Sequence, residues 1–167
     1  MLSSEQIIKE GLLKLDNTHG KPAQVGYDLS IKSVQKIMSN IKFGYVLKDK
    51  TLLAHYEPMD STQLDGHKGW LLYPGVYDIT FHEGCKIPAN RTAFIKQRSS
   101  LYRNGAIINS PVFDPGFETD HMGTFMYVHE TIFIEQDARV AQIYFHESTS
   151  TDNLYDGQWQ HDKQRNQ

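Results

Sequence analysis

The sequence predicts an all-β protein, a sandwich or barrel of many short strands preceded by one amphipathic helix. Three observations carry that prediction. From Gly26 onward the apolar residues come in short runs between turn formers, and most runs are enriched in β-branched or aromatic residues. No helical pattern alternates with those runs, as a parallel α/β sheet would require. Neither GxGxxG nor GxxxxGK[ST] occurs, so any phosphate binding must use side chains and loop amides.

Taken in order, the first element is a helix over residues 4–14. Ile7, Ile8, Leu12, Leu13 and Leu15 recur at helical spacing behind Ser3 and Ser4, and Glu5 and Gln6 stand where a capping arrangement needs them. Asn17, His19, Gly20 and Pro22 then break the pattern. Strands are expected at 43–47, 51–56, 69–73, 76–82, 91–97, 105–108, 122–128, 131–135 and 139–146. Trp70, Tyr73, Tyr77 and Phe81 fall within or beside these strands, at a spacing that suits core or interface filling rather than a base-stacking platform. Residues 151–167 are polar and aperiodic, which alone would be a disordered tail, yet Tyr155 and Trp159 are unusual in a tail that packs on nothing. With 167 residues in all, the expected organisation is one domain over 1–150 and a tail over 151–167.

Composition removes several classes. Seventeen Lys and Arg against twenty Asp and Glu give a net charge of −3, without the basic excess that drives binding to a nucleic-acid polymer. No run approaches the roughly 20 apolar residues that span a bilayer, and the N-terminus does not read as a signal peptide. A single cysteine, Cys85, supplies neither an internal disulfide nor a multi-thiolate zinc site, so the expected compartment is a reducing cytoplasm. Cys85 as a nucleophile beside His82 is conceivable, but a buried or incidental thiol is the better reading. The eight histidines are scattered at 19, 55, 67, 82, 121, 129, 146 and 161 with no HExxH, and read as surface or structural residues. Zinc-dependent nucleobase deamination needs a PCxxC pair and is excluded.

The informative run is Arg98-Ser99-Ser100-Leu101-Tyr102-Arg103-Asn104-Gly105, whose arginines and hydroxyls can supply charge-assisted donors to a phosphate. After it comes Asp114-Pro115-Gly116-Phe117-Glu118, a turn carrying a carboxylate and then an aromatic ring. A carboxylate beside a phosphate-binding loop can activate water for attack on phosphorus.

The order of motifs resembles the superfamily that joins dUTP pyrophosphatases (dUTPases) with dCTP deaminases. Residues Tyr73 to Glu83, Lys86-Ile87-Pro88 and Arg98-Ser99-Ser100-Leu101 resemble its PGe…T.E…lP…RSSL progression. Asp114-Pro115-Gly116-Phe117 resembles its ID(P/A)GF/Y turn, Arg139-Val140-Ala141-Gln142-Ile143 its RIAQL strand, and Gly26-Tyr27-Asp28-Leu29 its GYDL motif. The resemblance implies a distorted jelly-roll β-barrel of dUTPase-like type, assembled as a homotrimer with active sites at subunit interfaces. It implies that the ligand is a deoxypyrimidine nucleoside triphosphate bound with magnesium. Asp28 would position the magnesium-triphosphate through water, while Arg98, Ser99 and Ser100 would hold phosphates. Asp114 would orient or deprotonate the attacking water, with Arg103 placed beside it among the catalytic residues. Phe117 would stack under the deoxyribose and crowd out a 2′-hydroxyl, Gln142 would lie near the phosphates, and Asn109 falls where the pyrimidine is read.

The chain ends and Arg103 resemble the deaminases. MLSSEQII resembles their MLLSDxDI opening, and Asn153 to Gln158 resembles a terminal SKYQGQ that folds over the triphosphate, making Tyr155 and Gln158, with Trp159, a lid. Against this stands Thr124. The family's deaminating glutamate falls on that position, and a threonine cannot shuttle a proton from water to a cytosine ring. Residues 122–128 contain no acid, and Glu118 and Glu130 flank the strand. The leading expectation is a magnesium-dependent conversion of dUTP to dUMP and pyrophosphate. The alternatives are zinc-independent dCTP deamination, alone or with hydrolysis, and a catalytically silent deoxynucleotide-binding regulator.

Overall fold

A computed structural model describes residues 1–15 and 19–162. The chain opens with α1 (Ser4–Lys9), β1 (Leu13–Lys14), β2 (Lys21–Pro22) and the long β3 (Tyr27–Ile37). Then come β4 (Tyr45–Val46), β5 (Thr51–Leu52), β6 (Tyr56–Pro58), β7 (Thr62–Leu64), β8 (His67–Leu72), β9 (Gly75–Phe81) and β10 (Gly84–Lys86). The remainder is β11 (Arg91–Gln97), the short α2 (Ser99–Arg103), β12 (Ala106–Asn109), β13 (Glu118–Thr119), β14 (Gly123–Val128), β15 (Ile132–Glu135), β16 (Arg139–Glu147) and a 3₁₀ turn at Gln160–Asp162. No helix among the described residues is long and apolar enough to cross a membrane.

The all-β expectation holds. An eight-stranded antiparallel sheet runs β11-β16-β3-β9-β14-β12, with β2 and β6 also paired to β3. Its two ends meet. Ala93 and Phe113 exchange backbone hydrogen bonds at 3.1 and 2.9 Å, and Ile95 N donates to Ser110 Oγ at 3.0 Å, so the sheet nearly closes on itself. Inside lie Leu29, Ile31, Ile79, Phe81, Ile95, Met126, Ile143 and Phe145, all buried, each contributing about 1.5–3 kcal/mol of transfer free energy. Cys85, Trp70, Tyr77 and Phe81 are buried in the same core, whereas Tyr73 is exposed.

The helix is shorter than the expected 4–14. Ser3 and Gln6 form the capping box, but Gly11 takes φ +64° and stops the helix. Leu13 and Lys14 turn out of the helical pattern to pair with Cys85 and Gly84. The strand at 27–37 was absent from the expected set because Lys32, Ser33, Gln35 and Lys36 interrupt its apolar run. It is nevertheless the spine of the sheet. Conversely, 43–47 and 51–56 shrink to two-residue strands on a projecting hairpin, and 69–73 extends back to His67 around a tight Asp65-Gly66 turn with both residues at positive φ.

Strand β3 changes partners halfway. Tyr27 to Ser30 pair with β16, while Ile31 to Lys36 pair with β9. At the change, the 1%-exposed Glu83 accepts hydrogen bonds from Ser30 N at 3.0 Å and Ser30 Oγ at 2.7 Å. Removing that acceptor leaves a buried amide unpaired. Glu83→Ala is therefore expected to lower stability by about 3 kcal/mol and Ser30→Ala, which keeps the amide bond, by about 1 kcal/mol. Urea unfolding midpoints measure both, and equal losses would contradict the assignment.

Candidate functional site

Two cavities collect most of the residues singled out from the sequence. The first is an open polar groove of ≈710 Å³ lined by Lys21, Asp28, Arg98, Ser99, Arg139, Gln142 and Tyr144 among others. Asp28 is buried on β3, and its Oδ2 lies 3.4 Å from Arg98 Nε and 3.6 Å from Arg139 Nη1. Arg98 is fixed by its own backbone and side chain, since Arg98 N donates to Val140 O at 2.9 Å and Nη1 to Arg139 O at 3.1 Å. Gln142 Nε2 donates to Val25 O at 2.7 Å, and its Oε1 accepts from the Tyr144 hydroxyl. Burial, with Asp28 nearby, pushes the Tyr144 phenol above its ordinary value, so it stays protonated and able to donate. Three cations against one carboxylate make this groove an anion site in a chain of net negative charge.

Lys21 and Arg139 were not assigned to the site from sequence. Strand alternation would put Arg139 and Gln142, three residues apart, on opposite faces. An irregularity in the β16–β3 pairing between Arg139 and Ala141 supplies the extra residue that brings both onto one face. No signal in the sequence marks that bulge.

The second cavity, of ≈1090 Å³, is lined by Lys42, residues 51–56, Asp78, Phe113, Asp114, Phe117, Thr124, Phe125, Tyr155 and Trp159 among others. Asp114 opens the turn and is exposed; its carbonyl accepts from Phe117 N at 3.1 Å. Phe117 stands between Phe113 and Tyr155, with ring centroids 5.5 and 5.4 Å away. The tail is seated on this turn. Tyr155 N donates to Pro115 O at 2.7 Å, Gln160 Nε2 to Gly116 O at 2.8 Å, and Glu118 N to Gln160 Oε1 at 3.0 Å. Gln160 therefore helps to seat the tail on the turn, while Gln158 is exposed and lines neither cavity. Residues 163–167 of the expected tail lie outside the described residues.

Other expected residues stand apart. Ser100 lies one position beyond the groove-lining Ser99, its carbonyl accepting from Asn104 Nδ2 at 2.8 Å, and Arg103 ends α2 in an exposed position. Asn109 is exposed, and its carbonyl accepts from Thr124 Oγ1 at 2.9 Å. Thr124 itself is buried with its hydroxyl committed to that bond. Neither flanking acid replaces it. Glu118 accepts from Lys14 at 2.7 Å, which holds its carboxyl below the usual range, and Glu130 packs beside Gly105. Besides Asp114, the cavity that Thr124 lines holds Asp78, buried on β9 opposite Phe125 and missed by the sequence reading.

Residues 2–148 match the family described as dCTP deaminase-like. A deoxyuridine 5′-triphosphate nucleotidohydrolase of Methanocaldococcus jannaschii is 34% identical over 134 residues, covering 80% of this chain and 83% of that protein. A probable deoxyuridine 5′-triphosphate nucleotidohydrolase of Methanosarcina mazei is 32% identical over 172 residues, covering 97% of each. One of Halobacterium salinarum is 38% identical over 92 residues, covering 55% of this chain and 54% of that protein, so the chain spans about half the length of this relative. Among solved structures, a 2′-deoxycytidine 5′-triphosphate deaminase from Agrobacterium tumefaciens superposes with a TM-score of 0.58 at 16% identity, covering 86% of this chain and 46% of that one. The EIAV dUTPase superposes with a TM-score of 0.51 at 14% identity, covering 89% and 99%. At these identities the two structures establish the shared fold.

The seat of the tail generates a direct prediction. Gly116 has φ +90°, and a Cβ there would stand 2.7 Å from Leu154 Cβ and 2.9 Å from Tyr155 N. Gly116→Ala is expected to release the tail while leaving the barrel folded, read as faster hydrogen exchange at the Tyr155 amide with unchanged exchange in β9 and β16. Retained protection at Tyr155 would mean that the turn does not hold the tail.

Proposed function

The chain belongs to the dCTP deaminase-like family, and from that membership and the geometry of its two cavities we propose a homotrimeric, magnesium-dependent hydrolase that converts dUTP to dUMP and pyrophosphate. It acts in the cytoplasm on the free nucleotide, not on a nucleic-acid polymer. One observation carries the choice of hydrolysis over deamination. Where a deaminase needs a carboxylate, Thr124 is buried with its hydroxyl donated to the Asn109 carbonyl.

Among the described residues the groove and the larger cavity have no lining residue in common. A triphosphate gripped by one chain's Arg98 and Arg139 therefore meets the Asp114 and Phe117 of another copy, which is the reason for a trimer with shared sites. The projecting hairpin supports the assembly, since Ile41, Phe43, Tyr45 and Val46 stay exposed on it, an apolar patch of the kind that marks an interface.

Lys21, Arg98 and Arg139 hold the phosphate oxygens and offset the charge that develops during attack. Asp114 orients a water and accepts its proton; the water oxygen bonds to the α-phosphorus in line as the bond to the bridging oxygen breaks and pyrophosphate leaves. Asp28 offers a hard oxygen donor within the groove, and both arginine contacts use its Oδ2, so the residues fit an ion bridged through water. Bound magnesium would supply further charge neutralisation on the triphosphate. Phe117 packs against the deoxyribose, Ser99 and Ser100 add hydroxyl donors, Gln142 lies beside the phosphates, and Tyr155 and Trp159 exclude bulk water. Arg103, Asn109 and Gln158 line neither cavity, and join the site from a neighbouring copy or after the tail moves.

A second reading rests on Asp78, which lines the cavity of Thr124 and could carry the proton in place of the absent glutamate. In that case dCTP yields ammonia, and Asp78→Asn abolishes it.

Purified protein incubated separately with dUTP and dCTP is expected to give dUMP and pyrophosphate from dUTP alone. Asp114→Asn is expected to lower kcat by about 100- to 10,000-fold while leaving triphosphate binding near wild type. Binding without turnover by the unmodified protein would point instead to the silent regulator. Shared sites have their own signature. Arg98→Ala and Asp114→Asn are each expected to be inactive, yet co-expressed with random mixing they restore about a quarter of the sites. No recovery in the mixture would place the whole site within one chain.

A further inference from the structure

Outside both cavities, His19, His82 and Asp137 converge from three separate parts of the chain. His82 Nε2 lies 2.7 Å from Asp137 Oδ1 and His19 Nδ1 lies 3.8 Å from Asp137 Oδ2. The two imidazole rings are 4.8 Å apart between centroids and tilted by 35°, and one donor atom from each of the three residues lies within 4.8 Å of the others. The histidine spacing gave no hint of this, because the residues meet only where the end of β9, the approach to β2 and the turn before β16 come together. We propose that this cluster is a transition-metal site, and that zinc is its ion.

The donor set selects the class of metal. Two imidazoles and one carboxylate suit zinc and its neighbours rather than magnesium or calcium, which take oxygen ligands. Zinc bonds nitrogen and oxygen at about 2.0–2.2 Å, which sets donors roughly 3.3–3.6 Å apart at tetrahedral angles. The His82–Asp137 distance lies inside that spacing and the His19–Asp137 distance, made to the other carboxylate oxygen, lies outside it, so the three side chains, whose donors lie within 4.8 Å of one another, rotate to form the site. Three protein ligands leave a fourth position open to water.

Two further observations fit. Asp137 adopts φ +62°, a left-handed conformation uncommon for side chains other than Gly, Asn and Asp, and it aims the carboxylate at both histidines. His82 is anchored from below, its amide donating to Ser30 O at 3.0 Å beside the Glu83–Ser30 hydrogen bonds. Side-chain exposures of 40% for His19, 17% for His82 and 33% for Asp137 leave an entry path while shielding one ligand. His19 stands two residues before Lys21 and Asp137 two before Arg139, so a bound ion would tie together the two segments that carry these groove cations.

The test uses tag-free full-length protein, without nucleotide, titrated with Co²⁺ as a spectroscopic probe and then with Zn²⁺ in competition. The expected result is one ion per chain, visible d–d bands of a four- or five-coordinate cobalt site that zinc abolishes, and a zinc-dependent rise in Tm. His19→Ala and Asp137→Asn, the latter keeping a side chain that tolerates positive φ, are expected to weaken binding by about 100-fold or more. Their metal-free Tm should stay near that of the metal-free parent. Absence of a stoichiometric cobalt signal, or a signal unchanged in both variants, overturns the proposal. Because no substrate enters the experiment, its failure is independent of the hydrolase reading.

Discussion

The structure depends on how a single strand serves two sheet neighbours. β3 leaves β16 and takes up β9 around Ser30 and Ile31, and a backbone amide at such a change loses its ladder partner. Glu83 supplies the acceptor. Its buried carboxylate takes both the amide and the hydroxyl of Ser30, and with Tyr27 nearby it contributes to raising that phenol's pKa, after burial itself. Without that plug the sheet would have to choose one partner for β3, and the two cavities would lose their common wall. Asp28 sits on the half paired with β16 and lines the groove, while Gln35 sits on the half paired with β9 and lines the larger cavity.

From that arrangement the electrostatics follow. The half of β3 beside β16 faces a strand whose bulge turns Arg139 toward Asp28, and the start of α2 brings Arg98 to the same carboxylate. A single buried acid beside two guanidiniums pre-orients both forks, so the groove presents organised donors before any phosphate arrives. The other half is paired with β9, and the cavity that its Gln35 lines carries the rings of Phe113, Phe117, Phe125 and Tyr155. Along one strand, the polar groove lies on one half and the larger, ring-lined cavity on the other.

Much of this was legible in the sequence, and the rest was hidden for identifiable reasons. The core strands at 76–82, 91–97, 122–128 and 139–146 showed themselves because period-two apolar runs survive any tertiary context. Asp28, Arg98, Ser99, Gln142, Asp114, Phe117 and Tyr155 were legible as site residues because each sits in a local motif, but not their division between two cavities. The spine strand was not legible, since the polar residues of β3 are tolerated only where Glu83 and neighbouring strands satisfy them. Arg139, Lys21 and Asp78 were missed because a bulge and a cross-strand register, neither encoded in spacing, turn them into the cavities. Gln160 was not singled out, because no motif marks it and its contacts with the turn depend on how the tail is seated.

The position of Thr124 ties the fold to the choice of chemistry. A carboxylate there would be buried on β14 beside Ile79 and would need a charged or strongly donating partner. Glu118 is engaged with Lys14, and His121 with Lys32 and the carbonyl of His82. Threonine avoids that cost by donating to Asn109 O, which also fixes the edge of β12 against β14. The same hydrogen bond that removes the proton carrier therefore stiffens the strand pair facing the cavity. A wall built this way is stiff, but it offers no group at residue 124 to carry a proton.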